Sequence, residues 1–228
     1  MKNEYRIRIE QDDSPESPRE WSNLGTMVCW HNRYTLGDEQ PSCGPMEWAL
    51  SLAEEFEPGI EEKVERLDLD NHTRDVAAYQ REKVDAILDR HVIMLPLYLY
   101  DHSGITMNTS GFSCSWDSGQ VGWIWVSRKT VREAYDWKRI TQARVKQIER
   151  ILKAEVAVYA QYLEGDVHGF VLESRPAQVY DENGNALDVE TEWEHEDSCW
   201  GFYGSDPFEN GMADHINEEH HDLLREAA

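Results

Sequence analysis

A chain of 228 residues, 40% hydrophobic with nine Trp and ten Tyr, is long enough to bury one large core or two small ones. Its 45 acids against 22 bases give a formal net charge of −23, a field that repels nucleic acid and anionic membranes and attracts basic protein surfaces over about 8 Å at physiological salt. Composition thus excludes a chain disordered for want of apolar residues and argues against direct nucleic-acid binding.

Tyr5, Ile7 and Ile9 alternate with Arg6, Arg8 and Glu10, which predicts a half-buried strand. The same opening, MKNEYRIRIE, lacks the apolar run of a secretory signal. Residues 11–18 read as a loop, and Thr26 to His31 as a second strand. Pro45 suits the first position of a helix whose apolar stripe is Met46, Leu50, Leu52, Ala53 and Phe56, ending before Pro58. Asn71 is placed to cap a helix through about Arg90, with Val76, Tyr79, Val84, Ile87 and Leu88 inward.

His91 to Tyr100, the longest apolar run, is too short to span a bilayer and reads as a central strand, although Pro96 argues for a sheet edge or a bulge. Phe112–Trp116 and Val121–Val126 flank Asp117-Ser118-Gly119-Gln120 as a predicted hairpin. A short helix is expected over Thr130–Trp137. A longer one over Thr141–Leu163 carries Val145, Ile148, Leu152, Val156, Tyr159 and Leu163 inward and is stopped by Gly165. Val167–Leu172 and Ser198–Tyr203 read as strands, and Met212–Leu224 as an amphipathic helix. The expected fold is α+β: a mixed or antiparallel sheet packed by about four helices, with an acidic surface. We expect one domain over residues 1–228, with 181–228 as a distinct acidic subregion. Cys29, Cys43, Cys114 and Cys199 are widely spaced with no CxxC pair, which favours free thiols in a cytoplasm over a disulfide framework.

Charge is uneven along the chain. Residues 1–70 carry net −10, 71–127 net −2, 128–180 net +3 and 181–228 net −14, the last stretch with Arg225 as its sole base. Glu190, Glu192, Glu194 and Glu196 alternate with Thr191, Trp193 and His195. On a strand this aligns four carboxylates about 6.6 Å apart. Duplex DNA presents about one charge per 1.7 Å of axis, so such a row, continued by Asp197, is suited to the basic groove of a nucleic-acid-binding protein. A second acidic set includes Glu54, Glu61 and Glu65; like charges at helical spacing cost about 0.2–0.5 kcal/mol per pair. For both sets the plain alternative is a solvated face.

Four segments carry a resemblance: MVCWHNRYTLGD (Met27–Asp38), LYLYDHSGITMNTSGFSCSWDSGQVGWIWV (Leu97–Val126), YLEGDVHG (Tyr162–Gly169) and DSCWGFYG (Asp197–Gly204). Together, and most distinctively through SWDSGQVG, they resemble a family of bacteriophage and mobile-element proteins without an assigned activity. The resemblance implies an accessory protein acting in a host cytoplasm, a class in which antagonists of host defence are common. It transfers no functional residue.

Other constellations carry chemistry of their own. Cys114, Cys199, His102 and Asp117, with His31 and Asp101 nearby in turns, contain the side chains of a Cys–His–Asp hydrolase or transferase, although no spacing marks one; buried cysteine is also a common small core residue. His215 and Glu219, with Asp222 a turn further on, would share a helix face as metal ligands, but they match no ligand motif and read rather as the polar side of a helix whose apolar side is Met212, Ile216, Leu223 and Leu224. The basic stretch Arg128 to Lys153 is expected to offset the acidic ends, within the fold or across a homodimer. The leading expectation is a non-enzymatic inhibitor, anti-CRISPR or anti-restriction in type. It needs no cofactor, binds neither membrane nor nucleic acid, and contacts the basic surface of a host nucleic-acid-binding protein. The alternatives are the Cys/His enzyme and an acidic scaffold or oligomerising protein.

Overall fold

Two antiparallel sheets, each joining segments remote in sequence, organise this α+β protein. The structure, a computed structural model, describes residues 3–64, 76–189 and 191–228. Where the sequence marks no boundary, the chain forms two compact units, one of Trp21–Ala157 and one of Met1–Glu20 with Val158–Ala228.

In the Trp21–Ala157 unit, β2 (Thr26–Cys29), β5 (Ser118–Ser127), β3 (Val92–Asp101) and β4 (Ile105–Asn108) lie in the order β2-β5-β3-β4. α1 (Pro45–Phe56) and α2 (Val76–His91) bury Leu52, Ala53, Val84, Ile87 and Leu88 against Val92, Met94 and Trp125 of the sheet. An indole cluster extends this layer: Trp48 stacks on Trp123 at 5.8 Å and meets Trp30 edge-on, while Trp30 Nε1 donates to the Cys43 carbonyl at 2.7 Å. Buried Ile124 approaches Leu152 of α4 (Gln142–Glu164) beside Gly25. Gly122 is required by close approach, because a Cβ there would stand 1.9 Å from the Val28 carbonyl oxygen. α3 (Arg128–Tyr135) is capped by Ser127, whose hydroxyl accepts from Thr130 N.

In the other unit, β1 (Asn3–Gln11), β6 (Val167–Pro176) and β9 (Glu194–Tyr203) lie in the order β1-β6-β9, and β7 (Val179–Tyr180) pairs with β8 (Ala186–Leu187). The expected alternation in β1 holds. Ile7 and Ile9 join Phe170, Leu172 and Phe202 in a core covered by Met212, Ile216 and Leu224, the last on α5 (His221–Ala227). On the opposite face Arg6 and Arg8 converge on Glu173, whose side chain is only 12% exposed. Arg6 and Arg175 each lie 4.4 Å from the Trp193 ring centroid. Gly165 ends α4 at φ +72, a left-handed conformation that glycine adopts at no steric cost.

Three expectations are corrected. Phe112–Trp116 is loop: the Asn108 carboxamide oxygen accepts from Ser110 N and Gly111 N, and β5 pairs with β3, whose other edge is taken by β4. Met212–Leu224 is not one helix but two 3-10 turns and the start of α5. Extended backbone at Ile216 sends that side chain into the core, and Asn217 caps a new turn that starts at Glu218, its side chain accepting from Glu219 N. β9 begins only at Glu194; Leu172 pairs with Asp197 and Glu173 with His195, so Glu196 is the extra residue of a bulge and the even row is broken. Pro96 sits in an inner strand, one residue before a register shift at Leu97/Tyr98. The proposed cap Asn71 lies outside the described residues.

Candidate functional site

The ends of β3 and β5 build a cleft of about 320 Å³ lined by His31, Leu99, Asp101, Trp116, Asp117, Ser118, Gly119 and Val121. The ladder runs to Tyr100 opposite Ser118, and Asp101 N donates to the Asp117 carbonyl at 2.8 Å, so two aspartates meet across adjacent strand ends. A tight turn through Ser103 (φ 59) and Gly104 leads into β4 and places His102 beside them. Asp117 Oδ2 accepts the Cys114 thiol at 3.4 Å and lies 3.5 Å from His102 Nδ1. Asp101 is held by Arg33 Nη1 at 3.1 Å and by the Tyr34 hydroxyl at 3.3 Å. His31 stacks on Tyr34 at 5.0 Å, and its Nδ1 accepts from the backbone N–H of Arg33 and Tyr34. The neutral ring therefore carries its proton on Nε2. Trp116 is 95% exposed.

Cys114, His102 and Asp117 are thus brought together. Cys199 belongs to the other unit, where it lies on β9 opposite Phe170 and packs against the core. Sequence reading missed Arg33, Tyr34 and Trp116. The first two reach Asp101 from a loop almost seventy residues earlier, which no local pattern announces.

The acidic residues divide by role. Glu192, Glu194, Glu196 and Asp197 are exposed. Glu196 accepts from the Ser174 hydroxyl, and Asp197 Oδ1 accepts from Ser198 N at 2.8 Å. Glu54 is structural: its carboxylate accepts from Gly59 N at 2.6 Å and Glu61 N at 3.0 Å, and these backbone N–H groups hold its pKa below the ordinary range. Glu61 is exposed. Glu65 and Glu190 lie outside the described residues. Of the bases between Arg128 and Lys153, Arg144 lies 4.4 Å over Trp137, and Arg128 donates to the Asp89 carbonyl of its own unit.

His215 and Glu219 fall on separate 3-10 turns, and Asp222 pairs with Arg225 at 2.6 Å. Among the described residues no three His, Cys, Asp or Glu side chains are grouped to hold a metal ion. His221 Nε2 instead donates to the Ala213 and Ile216 carbonyls at 3.1 Å each. Among those residues too, no helix is long and apolar enough to cross a membrane. No family model matches the chain, and no curated protein or solved structure is found to be similar to it.

Proposed function

We propose that this protein is a non-enzymatic inhibitor that docks on the basic nucleic-acid groove of another protein and occupies it in place of nucleic acid. The observation that carries this reading is the unbalanced carboxylate set of residues 181–228. Fifteen acids there face a single base, Arg225, which is itself paired with Asp222. Glu194, the first residue of an edge strand, and Glu192, two residues before it, lie exposed. Such a surface speeds encounter with a basic groove, and its attraction fades with salt. The resemblance to phage and mobile-element proteins makes a nuclease, restriction or CRISPR effector of the host the fitting target class.

The test is capture from a bacterial host lysate on the immobilised protein, at low and high salt. A nucleic-acid-binding protein should be retained at low salt, released by high salt and displaced by duplex DNA. The Glu192→Lys/Glu194→Lys variant should weaken capture about 10- to 100-fold. Capture indifferent to salt, to DNA and to both reversals overturns the reading.

A second reading, a cysteine-dependent hydrolase or transferase, is favoured by the meeting of Cys114 and His102 at Asp117. The order of the three groups weighs against it. An anion holds the thiol proton here, whereas nucleophilic cysteines take an imidazole or a cation in that position. Under this second reading Cys114→Ala abolishes turnover; under the first it leaves inhibition intact.

A further inference from the structure

Asp101 and Asp117 stand across adjacent antiparallel strand ends, an arrangement in which like charges repel. Asp101 is balanced by Arg33, but Asp117 is not balanced in the same way. Its Oδ2 meets a thiol and an imidazole, neither a permanent cation, and among the described residues its Oδ1 accepts no hydrogen bond. The Asp117 side chain is 35% exposed, and its chain neighbour Trp116 offers an indole 95% open to solvent. Among the described residues no Lys or Arg lines the cleft, which Arg33 meets through Asp101. A carboxylate with an unused oxygen, beside an open indole and in a unit that itself carries net −5, is a receptor for a cation.

We propose that this cleft binds a guanidinium group, and that its occupant is an arginine side chain of the basic partner. This rests on the function proposed above and gives that partner a definite anchor. A metal ion is the poorer fit, since the described residues offer no three-ligand group. A planar guanidinium can pair with Asp117 while stacking on Trp116, which a lysine ammonium does less well. At about 320 Å³ the cleft has room for one long side chain. Tryptophan and arginine are also the residues that most often dominate interface energies.

The probe is N-acetyl-arginine amide, with its citrulline counterpart as an uncharged control of the same shape. Binding to the wild type and to Asp117→Asn is read from the Trp116 indole N–H resonance, identified by its loss in Trp116→Phe, and binding to Trp116→Ala from the backbone amide resonances of Asp117 and Ser118. The arginine probe should shift that signal at millimolar concentration and the citrulline probe should not. Asp117→Asn should weaken binding about tenfold and Trp116→Ala about fivefold. Because Asp117 also holds the Cys114 loop, its variant is compared by melting. Trp116→Ala, at an open position, carries the test if Asp117→Asn unfolds. Equal shifts from both probes, or none from arginine, overturn the proposal. If Trp116→Ala leaves partner capture unchanged while arginine fails to bind, the anchor is wrong and the inhibitor reading stands. Arginine binding without any salt-sensitive capture upholds the cation site and overturns the partner reading.

Discussion

The two units handle charge in opposite ways. The unit of residues 21–157 has 21 acids against 16 bases, net −5, whereas that of residues 1–20 and 158–228 has 24 against 6, net −18. In the first, helices pack on its sheet, and carboxylates often serve the backbone: Glu54 caps a turn, and Glu155 accepts from Leu24 N at 2.8 Å. In the second, one sheet face is sealed by the chain's own tail, and the other absorbs the cations. Arg6 and Arg8 go to Glu173, and Arg175 to Glu4 and Trp193. Within residues 181–228, Arg6 and Arg175 meet the Trp193 ring. Most of the excess acidity therefore belongs to one folded unit; the acids of residues 21–70 stay in the other, where the bases of residues 128–157 offset them.

The largest expected effect tests the covered sheet. Gly122→Ala sets a Cβ against backbone, not against a side chain that can swing away. It should cost more than about 4 kcal/mol, read by denaturant unfolding. A loss under about 1 kcal/mol would mean that β2 and β5 do not approach as described. In the acidic unit the counterpart is Leu224→Ala, which empties a fully buried site beneath β1 and β6. About 2–5 kcal/mol is expected, with the cost lower if the tail collapses into the gap.

Glu173→Gln addresses the charged face of the same sheet. Hydrogen bonds from Arg6 and then Arg8 hold the Glu173 pKa below the ordinary glutamate value. A lowered folded-state value means that the stabilisation is complete above the unfolded value, near about pH 4.3, and is lost as pH falls through the folded one. The wild type should therefore lose melting temperature on acidification below about pH 4.5 more steeply than Glu173→Gln, and the two should converge in acid. Parallel curves would show that the two arginines do not depend on this carboxylate.

Legibility in the sequence followed locality. The alternation of β1, the Pro45 start of α1 and the Gly165 stop of α4 are set by neighbouring residues, and all stand where expected. Pairings set by distant residues were not readable. β1 finds β6 157 to 173 residues away, and that pairing creates the second unit. β4 is four residues long, too short for a period, and pairs with β3, while β2 and β3 take both places beside β5, one of which the hairpin expectation gave to Phe112–Trp116. The same division holds at the cleft. Asp117 and Cys114, three residues apart, could be named from the sequence, whereas the hold of Arg33 and Tyr34 on Asp101 depends on tertiary folding.

The smallest effect on stability is expected where the acidic unit is least balanced, and its sign is informative. Glu192 and Glu194 are exposed, and among the described residues neither forms an ion pair. Exposed substitutions usually change stability by less than about 0.5 kcal/mol in either direction. In a unit of net −18, however, reversal to lysine relieves self-repulsion. Glu192→Lys/Glu194→Lys should therefore melt slightly higher than the wild type in low salt, with the difference closing as salt screens the field. Side chains kept for folding would give the opposite sign. A rise in melting temperature together with weakened partner capture would separate the two roles, since these carboxylates would then oppose the stability of the unit that displays them. A fall in melting temperature would make the row part of the fold, and the weakened capture of that variant would no longer count as evidence for a binding surface.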